Sequence, residues 1–118
     1  MDTSEKKTYD DCPINYTLSV IGGKWKLIIL TLIARDEVVR YGKLKDGLLS
    51  IAHKTLSQQL KELEEDGIIH REQYNQVPPK VGYTLTEKGK SLIPILDLMA
   101  QWGVQNRTNK LSSHNSIK

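Results

Sequence analysis

A chain of 118 residues has room for one compact domain with short tails and excludes two ordinary domains. With no Phe and only 2 Trp and 5 Tyr, its core must come from Leu, Ile and Val, which suits a helical protein with a little sheet. The 17 Lys and Arg against 14 Asp and Glu leave +3, a balance that permits a nucleic-acid partner without demanding one. The single cysteine excludes an internal disulfide framework and a CxxC metal site and fits a reducing cytosol. The longest apolar stretch, Leu27 to Ala34, falls far short of the roughly 20 residues of a membrane span, and no signal peptide is visible. A soluble, cytoplasmic protein without a membrane partner is expected.

Residues 1–11 are polar and mixed in charge and read as a flexible N-terminal tail. A single domain is expected over residues 12–107, and a second polar tail over residues 108–118. Pro13 opens a short helix with Cys12 or Asp11 near its start, Leu18 and Ile21 inward, and Gly22-Gly23 at its end. Lys24 begins a second helix. There Trp25, Leu27, Ile28, Ile29, Leu30, Leu32 and Ile33 surround the axis, which predicts a helix buried on most sides. After an extended piece at Val38 and Val39, Tyr41 to Leu48 reads as a brief helix with Leu44 and Leu48 inward. Ile51 to Asp66 is the strongest helix of the chain, with Leu56, Leu60 and Leu63 on one stripe and Gly67 as its stop. Two helices joined by a short connection make a helix-turn-helix pattern.

Ile68 to Tyr74 and Val81 to Leu85 are rich in β-branched and aromatic residues, and the Pro78-Pro79 pair between them predicts a β-hairpin with a rigid, exposed tip, a wing. Thr86 is placed to cap a final helix from Glu87 to about Asn106, with Pro94 kinking it or lying in its first turns. The apolar set Leu92, Ile93, Ile95, Leu96, Leu98, Met99, Trp102 and Val104 spans too wide an arc for one core. One edge is therefore expected on the domain and the other on a second subunit. The fold class is mainly α with a small β-hairpin, a winged helix-turn-helix that forms a homodimer, with Leu18, Leu96, Leu98, Met99 and Trp102 at the interface.

With Leu56 pointing inward, Lys54, Gln58 and Lys61 fall on the opposite face, flanked by Thr55 and Ser57. These side chains suit duplex DNA: Gln pairs with adenine, Ser and Thr bond base edges or phosphates, and Lys contacts guanine or phosphate. Glu62, Glu64, Glu65 and Asp66 at the other end of the helix would be repelled by phosphate and are expected to tilt away. Between Arg40 and Lys61 the charged residues are Arg40, Lys43, Lys45, Lys54 and Lys61 against Asp46, a local charge of +4. Such lysines are also what a solvated helix face looks like. Arg71 and Lys80, with Gln73, Asn75 and Gln76, add donors on the hairpin. His53 is either a phosphate or base-edge contact or a partly buried helix-start histidine, whereas His70 reads as structural and His114 as a tail residue. Three scattered histidines and one cysteine predict no zinc site and no cofactor. The chain has neither a Gly-rich phosphate loop nor a nucleophile elbow, so an enzyme is not expected. Beside the DNA-binding reading stand a winged-helix module that binds only protein and a cysteine-dependent redox enzyme.

Several ordered motifs from Cys12 to Trp102 carry a family resemblance. Cys-Pro at Cys12, Ile-Gly-Gly-Lys-Trp-Lys from Ile21, His-Lys-Thr-Leu-Ser-Gln-Gln-Leu from His53, Val-Pro-Pro-Lys-Val from Val77, Tyr-Thr-Leu-Thr at the wing's return and Gln-Trp-Gly near the end resemble the HxlR family of bacterial regulators. The resemblance implies a MarR-like winged helix that dimerises through its terminal helices and binds pseudo-palindromic operators as a repressor or activator. Members often answer to electrophiles, oxidants or aldehydes, which implies a small-molecule or redox effector. By position, the recognition helix covers His53 to Lys61, and Arg40-Tyr41 stands where the family usually has Arg-Phe, making Arg40 a phosphate contact. Two positions depart from the pattern. Ala52 replaces a capping Ser, so the cap must come from Ser50 or be weaker, and Gly82 replaces a Glu on the wing. Several relatives sense oxidants or quinones through a cysteine near Cys12, which makes it the redox-sensing candidate. The other reading of Cys12 is a small apolar residue whose thiolate Asp10 and Asp11 disfavour. With no second cysteine, its oxidised form would be a disulfide to the partner subunit's Cys12, a mixed disulfide or an adduct.

Overall fold

Leu56, Leu60 and Leu63 are at most 2% exposed and make one stripe of a single helix; the fold is organised around covering that stripe. The computed structural model describes residues 11–75 and 80–116, with side chains through Arg107. The expected rigid wing tip at Pro78-Pro79, with Gln76, the tail before Asp11 and the His114 side chain, lies outside the described residues. In chain order the elements are α1 (Pro13–Ile21), α2 (Lys26–Arg35), β1 (Val39–Arg40), α3 (Tyr41–Gly47), α4 (His53–Glu65), β2 (Ile69–Tyr74), β3 (Lys80–Leu85), α5 (Glu87–Lys90) and α6 (Ile93–Ser116).

Ile29, Leu30 and Ile33 of α2 are fully buried against the α4 stripe and Leu44 of α3. The expectation of near-complete burial for α2 is corrected on one side, where Ile28 and Thr31 are exposed. In α1 the buried pair is Val20 and Ile21, while Leu18, expected inward, is 57% exposed. At 100° per residue Thr17, Val20 and Ile21 share one arc, and Ile14 and Leu18, four apart, lie beyond its Ile21 edge, with Leu18 the farther of the two. Leu18 therefore belongs to an outward apolar edge.

The hairpin forms as read, from Ile69 opposite Leu85 to Tyr74 opposite Lys80. It gains a third strand, because the extended residues before α3 pair with its return strand, Val39 opposite Tyr83 and Arg40 opposite Gly82. A two-residue strand is too short to announce itself by alternation. Its pairing nevertheless locks the start of the helix-turn-helix onto the wing.

α4 ends in a Schellman arrangement: Gly67 takes a positive φ of 74°, its N–H donates to the Glu64 carbonyl, and the Ile68 N–H donates to the Leu63 carbonyl. Thr86 caps as expected, its Oγ1 accepting from the Gly89 N–H at 2.9 Å. The single final helix does not form. α5 stops at Lys90, and a new helix starts with Pro94 in its first turn, where a residue without an N–H costs nothing. α6 then continues to Ser116, well past Asn106. Leu92 and Leu96 pack on the core, whereas Ile95, Leu98, Met99 and Trp102 are exposed. These four fall within a 100° arc, so the two edges inferred from the apolar pattern are physically distinct.

Candidate nucleic-acid interface

The α3–turn–α4 unit and the hairpin meet along a cleft of about 790 Å³ lined by Arg40, Ser57, Lys61, Arg71, Lys80 and Tyr83 among others. Five of the ten side chains expected to meet DNA are thereby brought together on one concavity. The β1–β3 pairing sets Arg40 on the wing side, α4 contributes Ser57 and Lys61, and β2 and β3 contribute Arg71 and Lys80. Lys54 and Gln58 are exposed further along α4, and Thr55 is half-buried. Lys43 is held elsewhere, its Nζ 2.7 Å from Asp36 Oδ2. Both groups of that pair are largely exposed, so it restrains Lys43 only weakly.

Tyr41 joins the two helices of the motif. Its ring stacks on His53 at 5.8 Å between centroids and 16° between planes. Its hydroxyl lies 2.9 Å from His53 Nδ1 and 3.5 Å from Ser57 Oγ. His53 is thus an exposed helix-start side chain steered by Tyr41 rather than a buried one, with Nε2 left for an outside partner. Ala52 is the N-cap of α4 and supplies no side-chain acceptor, and Ser50 does not replace it. The first N–H groups of this 13-residue helix consequently have no side-chain cap.

Gly82, where the resemblance leads one to expect Glu, is explained by packing. A Cβ there would sit 2.7 Å from Val38 Cγ1 and 2.9 Å from Tyr74 Cε2. The missing side chain makes room for the Tyr74 ring, and the Arg40 guanidinium lies 5.2 Å from that ring's centroid. An aromatic platform thus orients Arg40 from below. Deeper in the cleft, burial pushes the Tyr83 phenol above its ordinary range, against the opposing pull of Arg71, which hydrogen-bonds it.

Sequence reasoning missed a charge network behind the recognition surface. The Lys26 side chain, 9% exposed, reaches Glu62 Oε1 at 2.7 Å. The other carboxylate oxygen, Oε2, accepts from Gln58 Nε2 at 2.9 Å. The donors Lys26, first, and Gln58 hold the Glu62 carboxyl below the ordinary carboxylate range. Glu62 and Glu64 do not tilt away from the site as expected: one holds Gln58, and the other lines the cleft. The signal was a lysine in line with Ile29, Leu30 and Ile33 at i+3, i+4 and i+7, since a buried ammonium needs a counterion, together with the i, i+4 spacing of Gln58 and Glu62.

Cys12 is the N-cap of α1, half-buried, with no side-chain cap bond. Among the described residues no three His, Cys, Asp or Glu gather to hold a metal ion, and no single helix is long and apolar enough to cross a membrane.

The pattern described as HxlR-like helix-turn-helix matches residues 20–111. The uncharacterized HTH-type transcriptional regulator BH0655 of Halalkalibacterium halodurans is 52% identical over 103 residues, 87% of this chain and 91% of that protein. Among solved structures, the redox regulator HypR in its reduced form aligns with a TM-score of 0.80 at 46% identity, covering 86% of this chain and 99% of that one. Its oxidized form aligns at 0.76 and 48% identity, covering 80% and 96%. The reduced form of the transcriptional regulator YodB from B. subtilis gives 0.69 and 33%, covering 80% and 92%.

Proposed function

From the premise that the chain belongs to the HxlR-like helix-turn-helix family, whose members are non-enzymatic transcriptional regulators, we propose that it binds duplex DNA sequence-specifically as a homodimer on a pseudo-palindromic operator. The observation that carries this reading is the continuity of one basic surface. Arg40, Lys61, Arg71 and Lys80 line a single cleft, and Lys54 and Gln58 extend it along the exposed face of α4. Such a surface suits a helix in the major groove with the hairpin on the flanking backbone. The uncapped α4 N–H groups suit a phosphate.

In this reading Gln58 reads a base, with Thr55 and Ser57 beside it, and Lys54, Lys61, Arg40, Arg71 and Lys80 bind phosphates. His53 adds a polar contact through Nε2, and Lys43 exchanges Asp36 for a phosphate. The exposed stripe of Ile95, Leu98, Met99 and Trp102, with Ile14 and Leu18 on α1, supports pairing of two chains. Two recognition helices would then sit about 34 Å apart, one turn of duplex. Leu96, also expected at the interface, is half-buried against its own core.

The similarity to a protein described as a redox regulator supports an oxidant or electrophile response, and Cys12, the one thiol of the chain, is the group we assign to it. Oxidation then joins Cys12 to the partner subunit's Cys12 or to a small thiol.

Gel shifts on the DNA upstream of its own coding region test the reading. Affinity should fall steeply with salt. Gln58→Ala should relax preference at one base pair, while Lys61→Ala should weaken all sequences and lower the salt slope by about one. Equal losses for both variants on cognate and random DNA would refute the assignment. Diamide should alter the footprint of the wild type and leave that of Cys12→Ser unchanged; a change that persists in the variant removes Cys12 from the response.

A further inference from the structure

Gln58 does not face DNA with a free amide. Glu62 Oε2 already takes one Nε2–H at 2.9 Å, while the buried Lys26 ammonium pins Oε1 at 2.7 Å. A carboxylate only accepts, so the nitrogen end of the Gln58 amide, not the oxygen end, must face it. What remains for an outside partner is Oε1 and the second Nε2–H, one acceptor beside one donor. Adenine presents the complement of that pair in the major groove, N6–H and N7. Guanine presents two acceptors, O6 and N7. A free glutamine can rotate to offer both N–H groups; one with an N–H committed to Glu62 cannot.

We infer that Glu62, anchored by Lys26, is a specificity-determining positioning residue: it commits one Gln58 donor and so makes the recognition helix read adenine and reject guanine. The inference deepens the proposed function and rests on Gln58 reading a base. A counterion role alone would not require Glu62 to turn an oxygen onto Gln58, since both oxygens could serve Lys26. Neither Lys26 nor Glu62 needs to touch DNA.

The chemistry of substitution sharpens the expectation. In Glu62→Gln the Lys26 ammonium, a donor only, claims the new amide's oxygen and leaves its NH₂ facing position 58. The Gln58 oxygen then turns inward and both its N–H groups point out, the pattern that guanine accepts. In the double variant Lys26→Met with Glu62→Gln both charges are gone, no ammonium is left buried, and either amide orientation is available.

The test uses duplexes carrying the footprinted operator and copies of it with each base pair replaced in turn. The pair read by Gln58 is the one at which Gln58→Ala loses discrimination. At that pair the wild type should prefer adenine to guanine by about tenfold. Glu62→Gln should reverse the preference or bring it to near unity, and the double variant should bring it to near unity. Adding Gln58→Ala to Glu62→Gln should bring the ratio to near unity, whichever value Glu62→Gln gives alone. In free protein, the two Gln58 side-chain N–H resonances should be separated in the wild type and move in Glu62→Gln. A wild-type ratio retained in both variants while Gln58→Ala abolishes it overturns the inference and leaves the base-reading role standing. Equal loss of affinity for adenine and guanine operators would mark a purely structural role and also overturn it. If Gln58→Ala keeps wild-type discrimination at every position, or the wild type discriminates nowhere, base reading by Gln58 itself is wrong and the inference falls with it.

Discussion

Gly82 shows how one absent side chain organises several present ones. Because a Cβ there would meet Val38 and Tyr74 well inside contact distance, Gly82→Glu must displace the Tyr74 ring and with it the platform under Arg40. Overpacking of this kind costs roughly 1–3 kcal/mol, so a lower urea midpoint with an unchanged slope is expected, together with weaker binding of random DNA. An unchanged midpoint would show that Tyr74 yields freely. As a departure from the family pattern Gly82 was visible in the chain; its reason was not, because it depends on a cross-strand aromatic ring. Glu62 makes the complementary case. Its carboxyl is held below the ordinary range by Lys26 and Gln58. A depressed folded-state value means stabilisation fully present above the unfolded value and lost as pH falls through the folded one. Unfolding measured from pH of about 5 down to about 3, across the carboxylate range, should therefore lose stability more steeply in the wild type than in Glu62→Gln. Parallel profiles would show that the Lys26 pairing is absent in solution.

At the scale of elements, the helices that carry the interface are marked by local chemistry and the smaller pieces are not. α4 was readable because its leucine stripe, its exposed polar face and its αL Gly67 all agree. β1 was not, since two residues have no periodicity and owe their conformation to β3. The division of the last helix was missed because residues 87–91 hold no large apolar side chain whose spacing could show a break; the break is made by Thr86 closing a single turn and by Pro94 starting the next helix. The N-terminus of α4 has no side-chain cap, because Ala52 stands at the N-cap position. Ala52→Ser should raise stability by about 1 kcal/mol, read as a rise in the urea midpoint. Its hydroxyl would also occupy an N–H group offered to phosphate, so tighter folding should come without tighter DNA binding. A gain in both would show that those N–H groups do not serve DNA.

For the whole molecule, the question is why a chain of this size leaves so much apolar surface uncovered. Its radius of gyration is 17.8 Å, against roughly 13–14 Å for a compact domain of the same length, and the difference is in keeping with a 24-residue α6, about 36 Å long, whose first turns tie it to the core. Leu98 and Trp102 on its outer edge are 65% and 69% exposed, a waste of burial unless a second chain covers them. In the proposed reading the basic cleft and recognition helix of one subunit would contact half an operator at best, and the dimer would convert modest half-site affinity into tight binding. Linking two half-sites multiplies affinity on the order of 10²–10⁴. The double change Leu98→Asp with Trp102→Asp should therefore give a folded monomer by sedimentation, with the far-ultraviolet dichroism per residue retained. Its affinity for the full operator should fall by that factor, while its affinity for a single half-site changes little. Its melting temperature should no longer rise with protein concentration, as the wild type's should. Retention of full-operator affinity by a protein that sediments as a monomer would separate DNA recognition from pairing through α6 and place the subunit contact elsewhere.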